Sequence, residues 1–129
     1  MRERVAEARV GRLGTVTTDG RPHLVPCCYV LVGDTVYSAV DAKPKASRSL
    51  RRLANIRDNG RASLLVDHYV EDWSTLWWVR LDGGGRVIES GDERDRALAS
   101  LVAKYPQYAR QPPPGPVVAI DVTTWRSWP

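Results

Sequence analysis

The residue pattern predicts a mainly β domain, antiparallel and tending toward a barrel, with helices on its flanks. Three observations carry this. Short runs of alternating apolar and polar residues, separated by Gly, Asp and Pro turn signals, occupy residues 11–40. One of those runs, 23–32, is apolar on both faces, which calls for a barrel interior behind it and a helix, partner chain or ligand in front. Two later segments have helical rather than alternating spacing.

Taken in chain order, 11–18 is the first β-prone run, and Asp19-Gly20 is a two-residue hairpin signal leading into 23–32. On that second strand Leu24, Cys28, Val30 and Val32 share one face, and Val25, Cys27, Tyr29 and Leu31 share the other. Pro26 lacks an N–H to give to a ladder, so it marks an edge or a bulge where another molecule can approach the backbone. Gly33-Asp34 turns the chain into 35–40, giving a three-stranded meander. A helix follows from Ser47 to about Asn59, with Leu50, Leu53, Ala54 and Arg57 at helical spacing and Ser47 or Ser49 able to cap it. Asn59-Gly60 stops it. The fourth strand is 61–67, and the fifth is 73–81, with Leu76, Trp78 and Arg80 on one face and Trp77, Val79 and Leu81 on the other. Asp82 to Gly85 reads as a turn into 86–89. Asp92 can cap a second helix whose apolar stripe is Ala97, Leu98, Leu101, Val102 and Tyr105. The Pro-rich stretch 111–116 is a stiff connector, and 117–122 is the last strand.

The 129 residues suit one domain, 1–129, with a real core. No apolar run approaches the roughly 20 residues that span a bilayer, and the charged N-terminus lacks the apolar stretch of a signal peptide, so a cytoplasmic protein without membrane contact is expected. Adjacent Cys27 and Cys28 are poorly placed for a mutual disulfide and read as packing thiols. His23 and His68 lack metal-ligand spacing, and no metal site is expected. Net charge is +4, but residues 1–61 carry 12 Lys and Arg against 6 Asp and Glu, while 62–129 carry 7 against 9. Two of the three lysines, Lys43 and Lys45, stand in one window between a strand and a helix. That arrangement can hold a phosphate. Arg51, Arg52 and Arg57 read as the polar face of the helix that follows. The basic residues are not interleaved with aromatic residues in the manner of a nucleic-acid surface, so no nucleic-acid partner is expected.

The phrases GTVTTDGRPH at 14–23, VYSAVDAKPK at 36–45 and RASLLV at 61–66, in that order, resemble the pyridoxamine 5′-phosphate oxidase-like superfamily of flavin and deazaflavin oxidoreductases. LRRLANI at 50–56 and WSTLWWVR at 73–80 are most similar to its coenzyme F420-dependent branch. The resemblance covers nearly the whole chain and implies a six- to seven-stranded antiparallel split β-barrel. It also implies a homodimer with a cofactor at the subunit interface. It places Lys43, Lys45, Ser47 and Arg48 at the cofactor phosphate, and Val25, Pro26, Cys27, Ser38 and Ala39 along the ring. Trp78 is the better placed of the tryptophans to stack near it, although packing is the ordinary use of such a residue. Pyridoxamine phosphate oxidases proper carry basic phosphate ligands on the second strand. The positions aligned with them here hold Val25 and Val30, which favours F420 over FMN.

The function implied is hydride transfer from reduced coenzyme F420 to an organic small-molecule acceptor, with no dedicated catalytic side chain, since such a cofactor carries the reactive chemistry. A proton for the product would come from solvent or Tyr29. The alternatives are an FMN-dependent oxidoreductase or a non-catalytic binder of a cofactor or haem.

Overall fold

The computed structural model describes residues 1–40 and 46–129, with side chains of residues 46–50 left aside. Seven strands form one antiparallel sheet: β1 (Gly11–Val16), β2 (Pro22–Cys27), β3 (Val30–Val32), β4 (Thr35–Ala39), β5 (Arg61–His68), β6 (Trp77–Ile88) and β7 (Val117–Trp128). Their order across the sheet is β2-β1-β5-β6-β7-β4-β3. The helices are α1 (Arg2–Glu7), α2 (Ala46–Asn59), α3 (Asp92–Lys104) and α4 (Pro106–Arg110). This is the expected mainly β architecture with flanking helices, a curled sheet consistent with a split barrel.

The curl follows from connectivity. β2 and β3 are the two outer edges of the sheet, yet only Cys28 and Tyr29 separate them in the chain. Three Cα steps reach at most about 11 Å, whereas seven strands laid flat would put their edges roughly 29 Å apart. The edges must therefore be brought round toward each other. Inside the curve Leu13, Leu64, Val66, Val79, Leu81, Ile120 and Tyr29 pack into one cluster, closed by Val5 of α1. Each fully buried aliphatic side chain of this kind contributes on the order of 1.5–3 kcal/mol.

Five expectations are corrected here. The apolar run 23–32 is two strands on opposite edges, not one strand of a meander. Pro26 does lie on an edge strand, in β2 opposite Arg12. The segment 82–85 does not turn the chain; β6 continues through it, with a register shift between Asp82 and Gly83. At that shift the strands approach so closely that a Cβ on Gly83 would collide with the carbonyl oxygen of Asp121. Glycine is needed there for proximity, not for a turn. Trp73–Thr75, expected to open the fifth strand, is a 3-10 turn capped by Asp72, and β7 runs six residues beyond the expected end at Val122, so that its pairing with β6 extends from Ile88 to Trp78. Gly91, not Asp92, is the N-cap of α3.

α2 spans nearly the expected residues and ends at Gly60, whose φ of 72° suits glycine and whose N–H donates to the Ile56 carbonyl at 2.8 Å. It packs Leu53 and Ile56 against Val40, Val87 and Val118. α3 covers the outside of β4 and β7 through Ala97, Leu101 and Tyr105 against Ala39 and Val117. Among the described residues no helix is long and apolar enough to cross a membrane.

Candidate functional site

The end of β2, the end of β4, α2 and α4 converge on a crevice of about 210 Å³ lined by Val10, Pro26, Cys27, Cys28, Ala39, Arg52 and Tyr108. Pro26 and Cys27 stand on one edge strand of the sheet and Ala39 on the strand next to the opposite edge, and they meet because the sheet curls its edges together. Val25 faces the barrel cluster behind this wall. Ser38 is 4% exposed and also lies behind it, donating its hydroxyl to the Cys28 carbonyl at 2.7 Å. Lys43 and Lys45 lie outside the described residues. Ser47 and Arg48 fall in the first turn of α2, where only the backbone is described.

The crevice floor is the two-residue crossover, and side chains satisfy its backbone. The Tyr29 N–H donates to the Tyr105 hydroxyl oxygen at 3.1 Å, and the Tyr29 carbonyl accepts from Lys104 Nζ at 2.9 Å. With the Ser38 bond, this ties an otherwise irregular buried link on three sides. The same packing sets the electrostatics. Burial, and then the charge of Arg9, bring the Lys104 ammonium down to about 8. Burial pushes the Cys27 thiol up, against the opposing influences of Ser38 and Arg52, so it stays protonated at neutral pH and is no nucleophile.

Arg52 is the residue that sequence reasoning passed over. It lines the crevice, and its Nε is buried with no hydrogen-bond partner among the described residues. A signal was available: Arg52 stands one turn before Ile56 and beside Leu53, both on the buried side of α2. Tyr29 proves unsuited to proton delivery, because its side chain is fully buried and its hydroxyl donates to the Val5 carbonyl in α1.

Trp78 is not in the crevice of this chain. It faces outward from β6, opposite Asp67 and Trp128, and with Arg80 it lines a separate depression of about 460 Å³ that includes Arg12, Leu24, Leu65 and Tyr69. The charges there are paired internally, Arg12 with Asp67 at 3.2 Å and Arg80 with Asp82 at 3.0 Å. Leu24 is 73% exposed and Tyr69 65%.

A family model described as pyridoxamine 5′-phosphate oxidase matches residues 1–129. No curated protein matches the chain. Among solved structures, the conserved hypothetical protein Rv2991 from Mycobacterium tuberculosis is similar, with 24% identity, a TM-score of 0.77 and coverage of 98% of this chain and 80% of that one. HutZ, the heme storage protein from Vibrio cholerae, has 13% identity and a TM-score of 0.77 over 98% of this chain and 89% of its own. An FAD-binding protein from Mesorhizobium loti has 22% identity and a TM-score of 0.65 over 98% and 89%. These three are likenesses of fold.

Proposed function

Because this chain belongs to the pyridoxamine 5′-phosphate oxidase family, we propose that it is a coenzyme F420-dependent oxidoreductase that binds its cofactor in the crevice between β2 and β4. The observation that carries the reading is the Arg52 Nε, buried without an acceptor among the described residues. A buried donor left without an acceptor costs on the order of 1–3 kcal/mol, more when charged, and an anionic or carbonyl group of a ligand would supply the acceptor. The crevice therefore fits a group that is flat against Pro26 and Ala39 and carries an acceptor toward α2.

The choice of a deazaflavin over FMN rests on where cations are lacking. Val25 packs on the barrel cluster and Val30 on the α3 cluster, so neither β2 nor β3 offers a positive charge at those positions. The cationic residues instead follow β4, at Lys43, Lys45 and Arg52, which suits a phosphate set further out. A bound deazaflavin supplies the hydride chemistry. The chain orients it with Arg52, walls it with Pro26, Cys27 and Ala39, and keeps the Cys27 thiol protonated and unreactive beside it.

At about 210 Å³ the crevice is smaller than the roughly 300 Å³ at which ligand pockets begin. A second copy of the chain supplies the remaining wall in this reading. The outward faces of β2, β1, β5 and β6 suit such a copy, being apolar at Leu24, Leu65 and Trp78 and neutral in their paired charges. Leu24→Arg is expected to convert a dimer into a monomer in sedimentation velocity.

One observation favours a second reading, a haem binder: Cys28, half-buried, brings a soft thiol to the same crevice. Titration with coenzyme F420, FMN and haemin separates the readings. Micromolar F420 binding that weakens at least tenfold in Arg52→Ala and Lys45→Ala supports the proposal. FMN binding without F420 binding, or a thiolate haem spectrum lost in Cys28→Ser, replaces it.

A further inference from the structure

We infer that Asn55 is a positioning residue: its buried hydrogen bond to Thr15 sets the rotation of α2 and so aims Arg52 into the crevice. The inference rests on the role of Arg52 proposed above, but the geometry behind it is independent of any ligand. Asn55 Nδ2 donates to Thr15 Oγ1 at 3.0 Å, and the two side chains are 2% and 3% exposed. On α2, Asn55 stands between Leu53 and Ile56, which pack against Val40, Val87 and Val118.

Apolar contacts of that kind are non-directional, so they hold the helix down without choosing its angle about its own axis. The depth of α2 is set by Gly85, where a Cβ would stand 3.0 Å from Ile56 Cγ2. Its rotation is a different degree of freedom. Each residue of an α-helix turns the chain by about 100°, so even a rotation of part of one residue step, which Leu53 and Ile56 can follow within their apolar surroundings, would carry Arg52 off the crevice. A hydrogen bond between two buried side chains cannot tolerate that rotation, because both partners would lose their bonds away from water. Asn55 stands three residues after Arg52, on the neighbouring part of the same helical surface, so fixing one fixes the other.

This gives a buried polar pair a specific purpose. Thr15 belongs to β1, which also holds β2 and hence Pro26 and Cys27 in register through pairs from Gly11–Cys27 to Val16–Pro22. The Thr15–Asn55 bond thus references the cation on α2 to the strand pair that forms the opposite wall. The predicted consequence is selective: loss of the bond should disturb Arg52 before it disturbs the fold.

The test uses the full chain and the pair Thr15→Val with Asn55→Leu, which leaves neither polar partner buried alone. Two readouts apply, one without ligand. In the free protein, exchange of the Arg52 Nε–H with water, followed by ¹⁵N NMR, is expected to accelerate at least tenfold in the pair while far-UV circular dichroism keeps its native form. With coenzyme F420 as the probe, affinity is expected to fall in the pair by the same factor as in Arg52→Ala, with no further loss when all three changes are combined. Thr15→Ser, which retains the hydroxyl, should rescue both readouts. An unchanged Nε–H exchange rate, or losses that multiply in the triple variant, would overturn the inference. Should wild-type protein bind no F420, the cofactor reading fails and the exchange measurement alone decides the positioning role. If the pair does not fold, Thr15→Val alone carries the same exchange readout and the same criterion.

Discussion

Replacing Lys104 with Met is expected to change how this protein's stability responds to alkali. The Lys104 ammonium donates to the Tyr29 carbonyl at 2.9 Å and sits 4.1 Å above the Tyr29 ring, with the Tyr105 ring at 5.3 Å. Burial, and after it the nearby Arg9 charge, lower its pKa from 10.5 to about 8, while Cys28 and Cys27 act weakly the other way. Since the folded value lies below the unfolded one, the native state releases this proton first as pH rises. Between pH 8 and 10.5 the unfolded chain binds more protons, so the Lys104 contribution to stability increases with pH and is least favourable below pH 8. The full interval corresponds to about 3 kcal/mol. Partial solvent contact reduces this to roughly 1–2 kcal/mol over the accessible range. Urea unfolding of wild type and Lys104→Met at pH 7, 8, 9 and 9.5 measures it. The stability difference, wild type minus variant, should rise across the series. Tyr29 and Tyr105, both pushed up by burial, remain in both proteins, so the difference isolates Lys104. A flat or falling difference would refute the reasoning.

Other substitutions probe other parts of the argument. Gly83→Ala is expected to cost on the order of 1–3 kcal/mol in urea unfolding, because a Cβ there meets the Asp121 backbone, and a neutral result would mean that β6 can straighten. Arg86 grips both oxygens of Glu93 and both of Asp121, and with Tyr37 it holds the Glu93 carboxyl down to about 2. The stabilisation is present above about pH 4.5 and lost as pH falls toward 2, so the melting temperature should drop across that window in wild type and less so in Arg86→Met. Leu101→Ala empties a fully buried position under α3 and should cost about 2–5 kcal/mol by chemical denaturation, with a smaller value showing that α3 settles onto β4.

Where local chemistry decides an element, the residues announced it. Asp19-Gly20 does turn β1 into β2, and α2 ends at Gly60 as its glycine requires. Where two distant segments decide, the local pattern misled. The alternation of Val25, Cys27, Tyr29 and Leu31 continues in phase through Cys28 and Tyr29, although the chain changes edge there, because both sides of the crossover still face apolar surroundings. The glycines at 83–85 have turn composition, yet their purpose is the close passage of β7 and α2, which lie far away in sequence. α1 is only six residues long and was too short to register as a pattern. Of the expected ring contacts, Pro26, Cys27 and Ala39 come together at the crevice, while Arg52 was hidden by its charge, which suggested solvent when its phase with Ile56 suggested the interior.

The pairing order has a consequence for synthesis. β4 joins the rest of the sheet through β7 alone, and β3 joins it through β4. While a ribosome is still making residues before Val117, the hairpin carrying Ala39 has no strand pairing, among the described residues, to the sheet carrying Pro26 and Cys27. The two walls of the crevice can be brought to their final spacing only once β7 has emerged and zipped between β6 and β4, a long-range step that is slow compared with hairpin formation. A nascent chain halted before β7 should therefore form hairpins without assembling the crevice.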